Sequence, residues 1–427
     1  MPRATTEAST PGPASRRGAG LPAFLALFGT AGALLTAGIW WLFYRPGSWP
    51  FDTVGYVIGR DFVNYWLGAQ LFADGKIAEL FNFPLYQTEL WTRLGVPLAE
   101  RPQPERIAYI WSYPPHLGIL LRPLAFLDYF PALIAWLAAT FAVYAAASLA
   151  AVRADMRGAV LVLLLLAPST HLTLYAGQNG FLTGALLIGA LVLLYRYDRP
   201  VLAGVLLGLL TIKPQLGLFV SIMLLVERKW STIAAAAATT IALVGLSLAL
   251  DGLAPWQGYL DFTMPSVRRI LTEFSGFQTG MMLSVFASLR LTGLPHEVAI
   301  SIQAIVSVAV LASGAVAIAW ARDLADRLML VALGSFLVTP YAFNYDLPLL
   351  TTALAVAITT RPPMRGVEGW LAGILFVLPV ALYPLQFALT GLGILPVASA
   401  YLLLVQRLRA ENRSGLSRLP ATVAHTG

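Results

Sequence analysis

The sequence predicts an all-α polytopic membrane protein, and composition, hydropathy and charge placement each support that prediction. Of the 427 residues, 58% are hydrophobic and 11% are charged, whereas a soluble domain carries about 25% charged residues. Mean hydropathy is +0.73. Apolar runs long enough for membrane helices recur along the chain, and lysines and arginines gather in the short segments between them. Such a chain cannot cover a water-facing surface, so lipid is its expected solvent.

The same composition excludes several function classes. A net charge of +7 would alone suggest a nucleic-acid partner, but the basic residues lie where the positive-inside rule places them, so we expect none. Cysteine is absent, which excludes disulfides, thiolate metal sites and cysteine nucleophiles. The four histidines show no H-x-x-x-H spacing, and the chain has no Walker A motif. We therefore expect no metal, no other cofactor and no ATP-driven transport.

Apolar runs divide the chain into a transmembrane region between two tails. Residues 1–20 are small, polar and proline-rich, which predicts a disordered cytosolic tail. The run 21–44 is too long for a signal peptide and predicts a first membrane helix. One transmembrane catalytic domain is predicted over 21–405, followed by a second cytosolic tail, 406–427. The later apolar runs are 130–152, 158–174, 179–195, 200–227, 230–250, 297–320, 328–343, 345–360, 367–383 and 386–405.

The segment 200–227 determines the predicted topology. The basic clusters can all be cytoplasmic only if this segment enters and leaves on the same side. Its centre contains Lys213-Pro214; proline interrupts a helix, and a lysine within the membrane is costly without a partner. We therefore predict a hairpin of two short helices broken at Lys213-Pro214. About twelve transmembrane helices with both termini inside follow from this hairpin.

This topology leaves the polar segments on the outer side. They are the loops 45–129 and 251–296, the turns at 175–179 and 340–346, and the tip of the hairpin. Chemistry is therefore expected at the outer leaflet. Apolar residues at helical spacing in 61–73 and 84–94 predict interfacial helices, with Tyr65 and Trp66 as anchors at the membrane surface, and 279–292 is predicted to behave likewise.

Four charged residues of the outer side are candidates for chemistry. Asp61, at the start of a predicted helix, is either a helix-end acid or a partly desolvated general base. Lys213 either extends to the interface or binds a phosphate, and its depth favours a phosphate. Arg268 and Arg269 break the positive-inside pattern, so they contact lipid headgroups or clamp a lipid-linked phosphate.

Three polar turns supply further candidate ligands. Each turn alone also fits a rigid or polar connection between helices. The turn at 340–346 offers hydroxyl, amide and carboxylate groups at one depth, which suits sugar binding. Asp346 is open as a second acid or as the structural partner of an arginine. The candidates in these turns are Tyr113, His116, Gln178, Asn179, Tyr341, Asn344, Tyr345 and Asp346.

These pieces, in this order, resemble the polyprenyl-phosphate-mannose-dependent alpha-1,2-mannosyltransferases, which are glycosyltransferase family 87 of the GT-C superfamily. The resemblance runs from about Leu21 to Val405. Its Tyr-Pro-Pro, Gly-Gln-Asn and Lys-Pro-Gln motifs are fairly specific as a spaced trio and weak singly. The matching residues are Arg60-Asp61-Phe62 with Tyr65, Tyr113-Pro114-Pro115, Gly177-Gln178-Asn179, and Ala203-Gly204-Val205 leading through Gly208-Leu209 to Lys213-Pro214-Gln215.

The resemblance implies a GT-C fold whose active site faces the periplasm. It implies a sugar on a polyprenyl monophosphate as donor, a lipid or glycan as acceptor, and Asp61 as the catalytic acidic residue. It also adds Tyr65 and Gln215 to the candidate sugar ligands. The Ala-, Arg- and Leu-rich composition suggests a bacterial inner membrane, with membrane lipids as further partners.

One departure leaves the sugar and the acceptor open. Relatives acting on phosphatidylinositol mannosides look histidine-rich after the late Ser-Pro, whereas this chain reads Thr339-Pro340-Tyr341 and then Asn344-Tyr345-Asp346. A GT-C transferase of arabinose, glucose or aminoarabinose is therefore one alternative. A transporter or flippase of a lipid-linked glycan is another, because transporters also contain broken helices with charged residues. A non-catalytic scaffold would leave Lys213 unexplained.

Overall fold

The computed structural model is built of helices. It describes residues 21–102, 109–273, 277–362, 364, 366–389 and 391–415. The predicted tail 1–20 and residues 416–427 of the second predicted tail lie outside these residues. Within the described ranges the chain forms isolated β-bridges but no strand, so the all-α prediction is confirmed.

The helices are numbered in chain order. α1 contains two π-helical turns, Leu25–Gly29 and Trp40–Tyr44. The bounds are α1 Leu21–Tyr44, α2 Phe62–Ala73, α3 Ile77–Leu80, α4 Phe83–Arg93, α5 Leu117–Leu121, α6 Tyr129–Ala150, α7 Arg157–Leu166, α8 Pro168–Ala176, α9 Gly180–Tyr195, α10 Pro200–Leu209, α11 Leu218–Val226, α12 Trp230–Asp251, α13 Ala254–Gly258, α14 Met264–Glu273, α15 Phe277–Gly280, α16 Val285–Leu291, α17 His296–Trp320, α18 Leu324–Val338, α19 Pro348–Thr360, α20 Gly366–Ala388 and α21 Leu395–Arg413.

Several of these helices are long and apolar enough to cross a membrane. In the described part of the chain five qualify, namely α1, α6, α12, α17 and the stretch Leu392–Arg413 that contains α21. The segment around α7 and α8, bent by 51°, gives a sixth if the pair is one span. A polytopic membrane protein is therefore confirmed, but the predicted number of about twelve spans is not supported. Shorter apolar stretches, among them Leu117–Phe126, Gly180–Tyr195 and Pro348–Thr360, have fewer than the roughly 20 residues that a straight crossing needs, and α20 is counted with them only over Gly366–Leu382.

Short helices form the centre of the bundle and long helices surround it. Almost every residue of α18 and α19 is buried, and so are most residues of α9. By contrast, only 6% of the apolar window of α12 and 28% of that of α17 is buried. A helix that is apolar all round needs either protein or lipid on every side. The exposed surfaces of α12 and α17 therefore form the lipid-facing layer.

Polar contacts tie several helix ends together at one end of the bundle. Tyr195, which ends α9, lies 2.6 Å from a carboxylate oxygen of Glu227, just beyond α11. Glu227 also pairs at 3.0 Å with Arg327, near the start of α18. The residues that define this basic end are Tyr195, Glu227, Asp326, Arg327, Arg361 and Arg407. Since α10 begins five residues after Tyr195 and α11 ends beside Glu227, α10 and α11 form a hairpin that enters and leaves at the same end, as predicted.

The predicted break at Lys213 is present at the tip of this hairpin. Two 3₁₀ turns, Leu210–Ile212 and Pro214–Gly217, flank Lys213, whose φ of −143° and ψ of 68° are not helical. The first limb, α10, packs closely on α12. A Cβ added to Gly204 would lie 2.4 Å from the carbonyl oxygen of Thr232, the kind of close approach that small residues allow between membrane helices. This packing holds the limb that carries Lys213.

The opposite end of the bundle carries the polar turns. α9 and α19 start there, directly after Asn179 and the turn Asn344–Asp346, and both run toward the basic end. At 1.5 Å per residue, these helices separate the two ends by roughly 20 Å. We call this opposite end the site end.

The structure corrects the prediction that α2 is an interfacial helix. Ten of its twelve residues are buried. Tyr65 is 0% and Trp66 3% exposed, and the Trp66 indole donates to the carbonyl of Leu127 at 3.0 Å. The anchoring role predicted for these two residues is wrong, because both serve a protein core. Segment 279–292 is likewise packed on protein, with Phe286 buried and its amide bonded to Gln303.

Candidate active site

Four separate segments of the chain meet at the site end. Asp61 lies in the turn before α2, and Gly177–Asn179 connects α8 to α9. Lys213 is at the hairpin tip, and Asn344–Asp346 is the 3₁₀ turn before α19. Each of these segments lies where a helix starts or breaks.

The backbone before Asp61 is turned sharply to present that residue. Gly59 has φ of +83° and Arg60 φ of +40°, a region that only glycine enters readily. The amide of Asp61 then donates to the carbonyl of Ala176 at 3.1 Å. Gly177 makes this approach possible, since a Cβ there would lie 2.2 Å from the carbonyl oxygen of Gly59. The Asp61 turn and the Gly-Gln-Asn turn are therefore locked together.

The Asp61 carboxyl group is set up to accept a proton. Its Oδ2 accepts a 2.7 Å hydrogen bond from Nε2 of Gln178, and the side chain is half-buried. Burial raises the pKa of Asp61 above its ordinary value, while the Gln178 hydrogen bond and the charges of Arg60 and Lys213 act against that rise. A carboxylate with a raised pKa is a better general base than one in water.

Gln178 connects Asp61 to two tyrosines. Its Oε1 accepts from the Tyr65 hydroxyl at 2.8 Å, and the Tyr113 hydroxyl lies 2.9 Å from that of Tyr65. The amide of Asn179 adds a 3.3 Å hydrogen bond to the same oxygen. Because an ionised carboxylate only accepts, the Gln178 amide is fixed with its nitrogen toward Asp61. Burial raises the pKa of Tyr113 far above its usual value, so its phenol stays neutral.

Lys213 is held by an acid from a distant part of the chain. Its Nζ lies 2.5 Å from Oδ1 of Asp346 and 3.4 Å from Oδ1 of Asn179, over the ring of Tyr345. The exposed fractions of the Lys213 and Asp346 side chains are 8% and 0%. The second oxygen of Asp346 accepts from the Phe343 amide at 3.0 Å. Asp346 is therefore the partner of a lysine, and not of an arginine.

Several polar groups beside Lys213 remain open. The Asn179 Nδ2 is buried and has no hydrogen-bond partner within the described ranges. The hydroxyls of Tyr341 and Tyr345 also make no hydrogen bond to the residues that the structure covers. Buried donors are normally paired, and donors next to an ammonium group suit an anionic oxygen. The arrangement thus combines one proton acceptor, Asp61, with a group of donors around Lys213.

Comparison with protein-family models matches residues 111–340, slightly more than half of the chain, to glycosyltransferase family 87. The chain belongs to glycosyltransferase family 87. No curated protein and no solved structure matches it. Membership indicates glycosyltransferase activity and confirms the family seen in the sequence motifs. The matched segment contains Tyr113, Gln178, Asn179 and Lys213, whereas Asp61 and the Asn344–Asp346 turn lie outside it.

His116 borders the site of this glycosyltransferase from the side of the hairpin. Its Nε2 lies 3.4 Å from the Thr211 hydroxyl, and its ring stacks on Trp256 at 5.9 Å. Its Nδ1 is buried without a hydrogen bond among the described residues. Burial lowers the pKa of His116 to about 4, so the imidazole is neutral at physiological pH and supports the hairpin tip without adding charge.

Other predicted ligands of the glycosyltransferase lie apart from Asp61 and Lys213. Arg268 and Arg269 are exposed on α14, where Arg269 pairs with Glu273 at 3.6 Å. Asn344 turns away and donates to the carbonyl of Pro379 at 3.3 Å. Gln215 is half-buried and makes no hydrogen bond in the described part of the chain. Their predicted ligand roles stay predictions.

Arg60 and Asp52 support the site and were not identified as a pair from the sequence. Two Arg60 nitrogens lie 3.1 and 3.0 Å from one oxygen of Asp52, and the guanidinium lies 3.9 Å from the Tyr44 ring centre and 4.6 Å from that of Tyr56. Asp52 also accepts from the Tyr56 amide. In the sequence, Asp52 lies eight residues before Arg60, and this spacing only weakly indicates that the two form an ion pair. The pair holds the strained backbone that presents Asp61.

Within the described ranges, no three His, Asp or Glu side chains are grouped so that they could hold a metal ion. This observation does not test whether the reaction needs a metal or another cofactor. The expectation that it needs neither stays a prediction from the sequence.

Proposed function

We propose that this glycosyltransferase moves a sugar, with mannose as the first candidate, from a polyprenyl-phosphate donor to a hydroxyl of a lipid or glycan acceptor. The observation that carries the proposal is the convergence of Asp61, Gln178 and Lys213 at one end of an apolar bundle. The polar donor head fits this group of side chains. The apolar prenyl tail fits the surrounding bilayer, which reaches the site end along the lipid-facing helices.

Asp61 acts as the general base. It takes the proton from the acceptor hydroxyl as that oxygen attacks the anomeric carbon from the face opposite the phosphate. The new C–O bond forms while the bond from the anomeric carbon to the phosphate oxygen breaks. That electron pair stays on the phosphate, so free polyprenyl monophosphate leaves and the configuration is inverted. Because phosphate is a fair leaving group, one carboxylate suffices, unlike the two needed for glycoside hydrolysis.

Lys213 holds the donor phosphate together with the open Nδ2 of Asn179. A lysine ammonium has three protons; Asp346 and Asn179 accept two of them here, which leaves one for a phosphate oxygen. Charge grows on that oxygen as the bond breaks, and fixed donors at this position stabilise the transition state. Asp346 keeps Lys213 in place, and Arg268 and Arg269 are further candidates for the phosphate.

The sugar rings are oriented by the neutral polar groups around these two centres. Tyr65, Tyr113 and Gln178 form a connected set beside Asp61. Tyr341 and Tyr345 offer further hydroxyls, and the ring of Tyr345 lies under Lys213. The remaining candidates for sugar or acceptor contacts are His116, Asn179, Gln215, Asn344 and Asp346.

The proposal includes an active site that faces the periplasm across a bacterial inner membrane. Its support is the charge distribution: arginines crowd the basic end, and basic residues favour the cytoplasmic side. If the short buried helices also count as crossings, the number approaches the twelve predicted from hydropathy.

The proposal is tested with purified protein in vesicles, a panel of synthetic polyprenyl-phosphate sugars (mannose, glucose and arabinofuranose) and a panel of lipid and glycan acceptors. Products are identified by mass spectrometry and their anomeric configuration by NMR. Transfer of mannose with inversion supports the proposal. Transfer of only another sugar rejects mannose, and retention of configuration rejects the mechanism. No transfer, together with flipping of a lipid-linked glycan, would favour the transporter alternative.

A further inference from the structure

Two adjoining cavities lie at the basic end, on the far side of the bundle from Asp61. The first, of about 540 Å³ with its open mouth, lies between α18, α19, α20 and α21. The second, of about 860 Å³ with its open side, lies between α1 and α20. Met364 and Ala372 line both, so the cavities are neighbours. Their walls are apolar except at the mouth of the first cavity, where Arg361, Arg407 and Glu368 lie.

At the mouth of the first cavity, the side chains of Arg361 and Arg407 are 17% and 28% exposed, and they share one buried acid. Arg361 and Arg407 both donate to the same oxygen of Asp326, whose side chain is 5% exposed. The other acids that pair with them are solvent-exposed: Asp323 is 61% exposed, and Glu411 is 39% exposed, each 3.6 Å from its arginine. Such exposed pairs contribute little. One buried carboxylate therefore serves two guanidinium groups.

We propose that these cavities bind an anionic glycerophospholipid. Its phosphate lies against Arg361 and Arg407, and its acyl chains fill the two apolar cavities. Guanidinium groups match phosphate geometry, and basic pockets between membrane helices on the cytoplasmic side bind anionic headgroups. Leu371, Leu375 and Leu404 below the arginines offer no polar group to a free anion, so the ligand is a lipid and not phosphate alone.

The lipid reaches the cavities sideways from the bilayer. Trp370, which lines the second cavity, is 61% exposed, and tryptophan is favoured at the membrane interface. The bound lipid connects α1 with α18, α19, α20 and α21, since the cavity walls come from these helices. The site is independent of the proposed sugar transfer, because it lies at the opposite end of the helices that carry the catalytic turns.

The experiment measures lipid retention by native mass spectrometry. Wild-type protein is released from vesicles of equal phosphatidylglycerol and phosphatidylcholine, and retained lipid is counted. The expected result is selective retention of phosphatidylglycerol. In the triple variant D326N/R361Q/R407Q, which removes both arginines and the buried carboxylate that they share, retention should fall roughly thirtyfold, since each basic residue near anionic lipid contributes about fivefold. The matched control is R153Q/D155N, which removes an exposed ion pair elsewhere and should retain the lipid.

A second variant keeps the test valid if the triple variant does not fold. Ala400→Phe fills the first cavity from α21 and leaves every charge in place, so it should also lose phosphatidylglycerol. Inorganic phosphate is added as a competitor. The proposal is overturned if phosphatidylcholine is retained equally, if Ala400→Phe retains phosphatidylglycerol as the wild type does, or if inorganic phosphate at millimolar concentration displaces the lipid.

Discussion

Nε2 of Gln178 lies 2.7 Å from Oδ2 of Asp61, while Oε1 of the same amide accepts from the Tyr65 hydroxyl at 2.8 Å. One side chain thus connects the candidate base with a buried phenol on α2. The amide has no freedom to flip, because the carboxylate requires the donor nitrogen and Tyr65 supplies a proton to the oxygen. This link fixes the direction in which Asp61 presents its lone pairs.

Replacing Gln178 tests that link. Gln178→Leu removes the donor to Asp61, so kcat/KM should fall on the order of a hundredfold, as for misplaced catalytic groups. Tyr65→Phe is the matched control. It removes the hydroxyl contacts to Gln178 and Tyr113 but keeps the hydrogen bond from Gln178 to Asp61, so it should cost roughly tenfold or less. Steady-state transfer assays on folded protein check both values, and an unchanged rate in Gln178→Leu would show that Asp61 does not depend on this amide.

Single and double replacements of Lys213 and Asp346 should separate their effect on stability from their effect on transfer. Lys213→Met leaves Asp346 buried without a partner and should lower the free energy of unfolding by about 3–5 kcal/mol. The double variant K213M/D346N removes both charges, so most of the stability should return while transfer stays lost. Unfolding in detergent and transfer assays measure the two quantities separately. Recovery of transfer in the double variant would mean that Lys213 does not bind the donor phosphate.

Replacing Arg60 should change the pH dependence of transfer. Its charge lowers the pKa of Asp61 against the rise caused by burial, as do Lys213 and the Gln178 hydrogen bond. Because the base acts deprotonated, transfer falls as pH drops through the Asp61 pKa. Arg60→Gln should therefore move the acidic limb of the kcat/KM profile to higher pH, and Arg60→Lys should leave it near the wild-type position. Burial raises the pKa of the neighbouring Tyr65, Tyr113, Tyr341 and Tyr345, so these phenols stay neutral over this range.

An acidic limb of Arg60→Gln at the wild-type pH or below would contradict this account. Because Asp52 loses its partner in that variant, the companion R60Q/D52N removes the unpaired acid. It should show the same direction of shift.

Local sequence signals predicted the elements of this fold but not its long-range pairs. The break at Lys213-Pro214 followed from the proline and from the cost of a membrane lysine, and it is present. The acid that pairs with Lys213 lies 133 residues away, and nothing near Lys213 in the sequence indicates which acid that is. The sequence therefore leaves Asp346 open as a second acid or as the partner of an arginine, whereas the structure pairs it with Lys213.

The burial of α2 shows a second limit. Apolar residues at helical spacing indicate that a helix needs an apolar partner, but the pattern is the same whether lipid or protein covers the face. Tyr65 and Trp66 fit the composition of an interfacial belt, yet both side chains are buried and both donate hydrogen bonds within the protein. The short central helices are similarly ambiguous, because burial inside the bundle lets a helix be apolar without having the length of a membrane crossing.

At Gly180, α9 approaches the backbone of Tyr345 so closely that only glycine fits. A Cβ at this position would lie 1.9 Å from the carbonyl oxygen of Tyr345. Gly180→Ala should therefore push α9 away from the Asn344–Asp346 turn, cost about 1–3 kcal/mol of stability and reduce transfer by displacing Asp346. Gly158→Ala is the control, because nothing lies within 4 Å of its added Cβ. Equal stability and transfer in the two variants would show that α9 and the turn are not in tight contact.

The most direct test of the account compares wild type and Asp61→Asn in transfer from the donor sugar that the panel identifies. Asparagine keeps the shape of the side chain, so folding and donor binding should be unchanged, and both are measured alongside. The account predicts a loss of at least about a hundredfold in kcat, the usual contribution of a general base. Equal rates in the two proteins would contradict it and would move the base to another group at the site end.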